Sequence, residues 1–295
     1  MEPPPELVGI VGAGAVAEVL GRELHAAGIP IAVLASRTPS SARRAAASID
    51  AGVRVVTVDA VPRHATRVII AVADAGIGST AAALAHAGMR GIVLHTSGAS
   101  GLAPCEPLRG AGVACGVLHP LQTVVSPGRG DSRLRGASFG VAGDDSAAAW
   151  AAFLVERLGG RALRLAADDL PAYHAGAVLA SNAVTAVIDA ATVLMAQAGV
   201  PRHAALEAIG PLCRASVDNA LRLGPAAALT GPVVRGDTGT VAAHLAAIHC
   251  APAGAAELYR AAARHLLTLA REREVSPPTL RSLERMLESG DGGGA

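Results

Sequence analysis

The length, composition and charge of the chain exclude several classes of protein. Its 295 residues exceed the size at which a single core stops growing, so we expect two domains. The net charge of +1, with no basic block interleaved with aromatic residues, argues against nucleic acid as a partner. All 25 basic residues are arginine, which excludes every mechanism that needs a lysine as Schiff base, general acid or phosphate ligand.

The amino-terminal stretch and the cysteines indicate the compartment. The opening MEPPPELVGI has neither the basic region nor the apolar core of a signal peptide, and no uninterrupted apolar run reaches the roughly 18 residues of a membrane span. The four cysteines have neither a CxxC nor a metal-ligand spacing, so we interpret them as free thiols. We therefore expect a cytoplasmic protein that binds no metal and no membrane.

The first half of the chain predicts strands that alternate with helices. LVGIV leads into a helical pattern that ends at Gly28, and IPIAVLASR and VRVVTV predict two strands around a helix opened by Pro39. RVIIAVADAGI, GIVLHTSGA, GVLHPLQTV, ASFGVAG and RALRL continue the series, with a helix over 145–159. Strands that are apolar throughout are typical of a parallel sheet buried on both faces. We predict an α/β fold with a doubly wound Rossmann sheet.

From Asp168 onward the pattern predicts helices only, over 168–199, 201–223, 238–250, 253–272 and 277–289. We place the boundary near residue 166. The prediction is a dinucleotide-binding domain over 1–166, a helical substrate and dimerisation domain over 167–290 and a disordered tail over 291–295. SPGRGDSRLRG, residues 126–136, predicts an exposed loop inside the first domain.

The motif GAGAVA has the GxGxxA spacing of a dinucleotide-binding turn. Gly12 permits the tight turn, Gly14 lets a pyrophosphate approach the backbone, and Ala17 allows the helix to pack closely on the strand. The motif follows a strand and begins a helix, which favours a cofactor site over a chance turn. The residues predicted to contact the cofactor here are Gly12, Ala13, Gly14, Ala15 and Val16.

The end of the second predicted strand indicates which cofactor binds. Ser36 and Arg37 stand where an NAD-selective site offers a carboxylate to the ribose. A hydroxyl and a guanidinium suit a 2′-phosphate, so we predict NADP(H); the alternative is that Arg37 is a solvated loop residue. Ligands of such sheets bind at the carboxyl ends of the strands, where further cofactor contacts are predicted at Val72, Ala73, Asp74, Thr96 and Ser97.

The segment AYHAGAVLASNAVTAVIDAA, residues 172–191, carries a stripe of short polar residues on an apolar helix. They fall within a wedge of roughly 100° around the helix axis and are His174, Ser181, Asn182, Thr185 and Asp189. A solvent-facing stripe is one interpretation, but Glu, Arg or Gln is usual there, so we favour a crevice wall. His174 and Asn182 would then flank a cofactor ring and its substrate, while Asp189 packs or contacts a second copy.

Two further stretches contain candidate site residues. In LTGPVVRGDTGTVAAHL, Arg235 either holds a substrate carboxylate or pairs with Asp237, and Asp237 or Thr238 is a candidate helix cap. His244 lies on the helix that follows. In GVLHPLQTV, His119 is either a structural histidine or a residue at the mouth of the active site.

Together, GAGAVA, AVADAGI, HTSGA, GVLHPLQTV, YHAGAVLASN and LTGPVVRGDTGTVAAHL resemble the family of Rossmann-like proteins with a C-terminal helical domain of unknown function, regarded as NADP-type oxidoreductases. The resemblance covers nearly the whole chain. It implies relatives among β-hydroxyacid dehydrogenases, pyrroline-carboxylate reductase and ketopantoate reductase. Some relatives use a deazaflavin in place of nicotinamide, and the sequence does not distinguish the two. It also implies a homodimer through the helical domain.

The chain departs from these relatives at one position. In several of them a lysine four residues before an asparagine supplies the catalytic acid. Asn182 matches the asparagine, but Val178 stands in the place of the lysine. His174, one turn further back, is the nearest proton donor.

These observations predict an NADPH-dependent reductase of a small carbonyl acid, by analogy a 2-oxo acid of the ketopantoate kind. His174 would donate the proton, Asn182 would orient the substrate, and Arg235 would bind its carboxylate. His119 and His244 are second choices for the acid. The alternatives are a cyclic imine acid reductase and an NADP-binding sensor or scaffold without turnover.

Overall fold

The computed structural model describes residues 7–125, 134–273 and 275–288. The chain divides into two compact units, residues 1–180 and 181–295. The first unit therefore includes one helix, Leu170–Ala180, from the region where the sequence predicts helices only. The predicted tail and residues 126–133 of the predicted loop lie outside the described residues.

The first unit is built on one eight-stranded sheet in the order β3-β2-β1-β4-β5-β6-β7-β8. The strands are β1 Val8–Val11, β2 Ile31–Ala35, β3 Arg54–Val56, β4 Arg67–Ile70, β5 Ile92–His95, β6 Ala114–Pro120, β7 Ser138–Gly143 and β8 Arg161–Arg164. Neighbouring strands are parallel except β6 and β7, which are antiparallel. The predicted Rossmann sheet is confirmed, with the correction that it is not wholly parallel. An antiparallel pair needs no helical crossover between its strands.

The helices of the first unit cover both faces of the sheet. They are α1 Ala15–Ala26, α2 Pro39–Ile49, α3 Ile77–His86, α4 Glu106–Arg109, α5 Asp145–Arg157 and α6 Leu170–Ala180. Alternate residues of β4 pack into different apolar clusters, Ile69 into one and Val68 and Ile70 into the other. Because successive side chains of a strand point to opposite faces, the sheet is buried on both sides, as its apolar strands predicted.

The second unit is helical in its described residues. Its helices are α7 Asn182–Gln197, α8 Arg202–Leu223, α9 Pro225–Ala228, α10 Pro232–Arg235, α11 Thr238–Ile248, α12 Ala253–Arg271 and α13 Pro277–Glu288. An apolar cluster joins α10 to α13 through residues such as Val233, Val241, Leu267 and Leu283. Four of the five predicted helices have these bounds within two residues; the short helices α9 and α10 were not predicted.

The predicted single helix over 168–199 is wrong, because it is interrupted at Ser181. The Ser181 backbone, at φ −126° and ψ −71°, leaves the helical region, and its hydroxyl donates to Asn182 Oδ1 at 3.0 Å. A serine hydroxyl that bonds locally competes with helical hydrogen bonding. The predicted continuous polar stripe is therefore divided: His174 lies on α6 in the first unit and Asn182 begins α7 in the second.

One helical stretch of the described chain, Ala167–Gln197, is long and apolar enough to cross a membrane by length and composition, although polar residues interrupt it. One such helix is weak evidence for a span. The expectation of no membrane partner stays a prediction.

Candidate functional site

A cavity of about 500 Å³ lies at the carboxyl ends of β1, β2 and β4. A Cβ on Gly12, where φ is 137°, would lie 2.0 Å from the carbonyl oxygen of Ala71, so only glycine fits this turn. A Cβ on Gly14 would meet no atom within 4 Å, so this backbone faces open space. The position is that of the dinucleotide crevice, where the strand order reverses between β1 and β4.

The predicted cofactor residues are distributed around this cavity. Those that line it are Gly12, Ala13, Gly14, Ser36, Arg37, Val72 and Ala73. Ala15 and Val16 form the first turn of α1, and Asp74 begins a 3-10 turn after β4. Thr96 and Ser97 follow β5 at the same edge of the sheet.

The rim of the cavity after β2 is free of negative charge. Arg37 is exposed there, and the Ser36 hydroxyl accepts a long hydrogen bond, 3.5 Å, from the Thr38 N–H. Ser41, in the first turn of α2, also lines the cavity and was not predicted. None of the described residues that line the cavity is acidic, which suits a phosphate on the ribose.

Two histidines meet at Gly98, in the loop after β5, and a tyrosine contacts one of them. We call His119, Tyr173 and His174 the imidazole cluster. His119 Nδ1 lies 3.1 Å from the Tyr173 hydroxyl, and the two imidazole rings are edge-on with centroids 5.3 Å apart. A Cβ on Gly98 would lie 2.6 Å from His174 Nδ1 and 2.8 Å from His119 Nε2. Only glycine therefore lets both rings approach this loop.

The surroundings of His119 keep its imidazole neutral. Burial, chiefly, and the neighbouring His174 lower the pKa of His119 to about 4, and Asp74 opposes the shift. Burial raises the pKa of Tyr173, and a hydrogen bond with the Gly140 backbone acts in the opposite direction. Because the Tyr173 hydroxyl meets Nδ1, Nε2 is the ring nitrogen of His119 that faces Gly98.

His174 has an unsatisfied atom in the same place. Its Nδ1 is buried and has no hydrogen-bond partner among the described residues. A buried polar atom without a partner costs about 1–3 kcal/mol of folding free energy. Such an atom is typical of a place where a ligand or an ordered water binds.

Asp74 and Ser97, predicted as cofactor contacts, bond to one another. The Ser97 hydroxyl donates to Asp74 Oδ2 at 2.9 Å, and Ser97 is nearly fully buried. The Thr96 N–H donates to the Ile70 carbonyl at the end of β4. These contacts hold the Gly98 loop against the neighbouring strand.

The remaining predicted residues lie in the second unit. Asn182 is the exposed first residue of α7, and Arg235 ends α10. Asp237 is the N-cap of α11 and accepts from the Thr240 N–H at 2.9 Å and from its hydroxyl at 2.7 Å. These bonds, chiefly, hold the pKa of Asp237 below its usual value. His244 Nδ1 lies 2.8 Å from the hydroxyl of Tyr259.

Sequence reasoning missed Tyr173, Tyr259 and Gly98. The chain contains two tyrosines, and each bonds a histidine. That rarity, with the position of Tyr173 directly before His174, was the available signal. Gly98 stands in HTSGA but lies outside the glycine spacing of the dinucleotide motif.

Comparison with known proteins supports this organisation. A Rossmann-like domain matches residues 1–120, and a domain of unknown function (DUF2520) matches residues 137–266. No curated protein sequence matches the chain.

Several solved structures resemble the whole chain. The protein TM1727 from Thermotoga maritima is 21% identical with a TM-score of 0.71, over 91% of this chain and 100% of that one. An imine reductase from Pseudomonas sp. is 18% identical with a TM-score of 0.62, over 96% and 100%. Pyrroline carboxylate reductase from Plasmodium falciparum, with NADP bound, is 12% identical with a TM-score of 0.55, over 98% of each chain. At these identities the likeness shows the fold. The chain therefore combines a Rossmann-like domain with a DUF2520 domain, as the resemblance predicted.

Proposed function

We propose that the protein is an NADPH-dependent reductase of a small compound with a C=O or C=N bond. The observation that carries this proposal is the imidazole cluster at Gly98. Gly98 follows β5, and the carboxyl end of β5 lies at the same edge of the sheet as the dinucleotide cavity. A neutral hydrogen-bond donor and a second imidazole there suit the reduction of a polar double bond.

The residues around the cavity fit NADPH, which supplies a hydride when bound. The open space at Gly14, before the N-terminus of α1, leaves room for a pyrophosphate against the backbone. Ser36 and Arg37 would hold the 2′-phosphate, since a guanidinium binds phosphate through paired hydrogen bonds. The NADP(H) prediction is supported by the Rossmann-like domain.

In the imidazole cluster, the two histidines would have different roles: one polarises the double bond of the substrate and the other donates the proton. His119 donates a hydrogen bond from Nε2 to the oxygen or nitrogen of the substrate and so polarises the double bond. His174 donates the proton from Nδ1, the atom that has no partner within the described chain. The roles predicted for Asn182, Arg235 and His244 stay predictions.

Two substrate classes are proposed. The first is a 2-oxo acid of the ketopantoate kind, which rests on analogy between two-domain reductases. The second is a cyclic imine acid. It is favoured by the likeness to an imine reductase and to a pyrroline carboxylate reductase, each matched along nearly its whole length.

The test is NADPH oxidation, followed by absorbance, with a panel of 2-oxo acids and a panel of cyclic imine acids, and with NADH as the control cofactor. Turnover with one panel assigns the class. Tight NADPH binding without turnover on either panel would favour the sensor or scaffold alternative.

The cofactor assignment has its own test. Arg37→Asp is expected to weaken NADPH binding by about 1.5–3 kcal/mol and to change NADH binding little, because it removes a hydrogen bond to a charged phosphate. Arg43→Asp, exposed on α2 and outside the cavity lining, is the matched control. Equal losses for NADPH and NADH would contradict the 2′-phosphate site.

We also propose that the second unit forms the contact of a homodimer. Large apolar side chains are exposed on α7 and α8, and they are Val184, Val187, Leu206, Leu212, Val217, Leu221 and Leu223. Exposed apolar patches mark interaction surfaces. The same helices carry the ion pair of Asp189 with Arg202, which suits the polar rim of a protein interface better than lipid.

Light scattering without detergent tests the dimer. The wild type is expected to be a dimer, and Leu212→Glu with Leu221→Glu is expected to yield a folded monomer. Phe153→Glu, an exposed apolar position in the first unit, is the control. A wild-type monomer, or a requirement for detergent, would overturn this proposal.

A further inference from the structure

His95, the last residue of β5, bonds the Gly98 loop at two points. Its side chain is fully buried. The Ser97 N–H lies 3.3 Å from His95 Nδ1, and the Gly101 carbonyl lies 2.7 Å from His95 Nε2. One imidazole therefore holds residues on both sides of Gly98.

These two bonds select one tautomer. A backbone N–H only donates and a carbonyl only accepts, so Nδ1 of His95 accepts and Nε2 donates. Burial lowers the pKa of His95, against the opposing effects of the Gly101 bond and of Asp74, and so favours the neutral ring. In neutral His95, Nδ1 accepts from the Ser97 N–H and Nε2 donates to the Gly101 carbonyl. In a protonated ring Nδ1 would also carry a hydrogen, which would face the Ser97 N–H.

The Ser97 hydroxyl fastens the loop at a third point. It donates to Asp74 Oδ2 at 2.9 Å and accepts from the Ser100 N–H at 3.1 Å. Gly98 is thus fixed between bonded neighbours. Its backbone is the surface against which His119 and His174 approach, with no room for a Cβ.

We infer that His95 is a positioning residue, which fixes the Gly98 loop and, through it, the imidazoles of His119 and His174. The expected effect of His95 on kcat rests on the proposed function, whereas its effect on the position of the two imidazoles does not. Both ring nitrogens of His95 are bound to the loop backbone and the side chain is buried, so it acts through the loop.

Two substitutions test the role by turnover. His95→Leu removes both bonds at similar volume, and kcat is expected to fall about 10- to 100-fold, because small displacements of reacting groups cost about that much. The Kd for NADPH is expected to change less than kcat, since His95 itself does not line the dinucleotide cavity. His95→Gln, which keeps a donor toward the Gly101 carbonyl, is expected to recover most of kcat.

A matched control separates positioning from loss of stability. Val93 lies two residues earlier on β5, on the same face as His95, and is fully buried. Val93→Ala is expected to lower the melting temperature while kcat per folded molecule stays at the wild-type value. Equal losses of kcat in His95→Leu and Val93→Ala would overturn the inference.

A second readout needs no substrate. The ring nitrogen resonances of His119 and His174, recorded by NMR on histidine-labelled protein, are expected to shift in His95→Leu and not in Val93→Ala. Unchanged resonances would overturn the inference even if the enzyme is active. If the wild type turns over no substrate, the proposed function fails, and these shifts still decide the positioning role.

If His95→Leu does not fold, Ser97→Ala is the second variant for the NMR measurement. It removes the hydroxyl that bonds Asp74 and the Ser100 N–H, and it leaves the His95 side chain unaltered. The same two resonances are expected to shift, and their constancy would count against a loop that positions the imidazoles.

Discussion

The two compact units contain the same contact in different surroundings. In each, a tyrosine hydroxyl meets the Nδ1 of a histidine, at 3.1 Å between Tyr173 and His119 and at 2.8 Å between Tyr259 and His244. In both pairs the rings are nearly perpendicular, at 89° and 81°. Burial raises the pKa of both tyrosines.

The histidines of these pairs differ in what surrounds them. His119 is the penultimate residue of β6, faces a second imidazole at Gly98, and has its pKa lowered to about 4, chiefly by burial. His244 is exposed on α11. A tyrosine contact orients an imidazole in either place, but in the first pair the imidazole itself is shielded from solvent and lies beside a second imidazole with an unsatisfied nitrogen. The surroundings, more than the contact, define the candidate site.

The largest effect is expected from the removal of His174, the imidazole that lies beside the Tyr173–His119 pair. His174→Ala is expected to lower kcat by about 100- to 10,000-fold, the usual contribution of a general acid, with the Kd for NADPH within about twofold of wild type. In the comparison variant, His244→Ala, kcat is expected to change by less than about threefold. Steady-state kinetics and NADPH titration measure both. A larger loss in His244→Ala would reverse the comparison.

The next effect displaces the two imidazoles without removing either. Gly98→Ala places a Cβ against both rings and is expected to lower kcat about 10- to 100-fold. Gly176→Ala is the control, since its Cβ would meet no atom within 4 Å on α6. That variant is expected to keep wild-type kcat and to unfold at a slightly higher temperature, because alanine favours a helix. Full activity in Gly98→Ala would place the reaction elsewhere.

A smaller effect compares the two tyrosines directly. Tyr173→Phe removes one hydrogen bond to His119, worth about 0.5–1.5 kcal/mol, so kcat is expected to fall roughly 2- to 10-fold. Tyr259→Phe makes the same change beside His244 and is expected to leave kcat within about twofold. Parallel kinetics on the two variants decide between them. Equal losses would show that both pairs serve turnover.

The pH dependence of the folding stability tests whether His119 of the first pair is shielded from solvent. With its pKa lowered to about 4, His119 is neutral at pH 7 and becomes protonated as the pH falls through that value. Its neutral form therefore stabilises the fold above the unfolded pKa, and this contribution is lost between about pH 6.5 and pH 4. Denaturant unfolding at several pH values should show that loss in the wild type and a smaller one in His119→Gln. An NMR midpoint for His119 near its unperturbed pKa would contradict the buried assignment.

The sequence predicts the parts of this molecule that local patterns determine. The apolar strands and the GxGxxA turn predicted the Rossmann sheet, because the central strands are buried on both faces and Gly12 has no room for a Cβ. The break at Ser181 was missed because helical periodicity continues on both sides of it.

The candidate site was only partly predictable for a different reason. His119 and His174 were candidates singly, but β6, α6 and the loop after β5 bring them together around Gly98. The partnership of Tyr173 with His119 joins residues far apart in the chain, and no spacing rule connects them. The antiparallel pairing of β6 with β7 is likewise a tertiary outcome.

The missing space at Gly98 has a consequence for how this chain tolerates mutation. Position 98 lies against two imidazoles at once, so a side chain there displaces both rings unless residues 119 and 174 become smaller. Single steps away from glycine therefore lower turnover before they prevent folding. In a library randomised at all three positions, selection for folding alone would accept smaller residues at 119 and 174 wherever position 98 carries a side chain, whereas selection for turnover would keep glycine and both histidines.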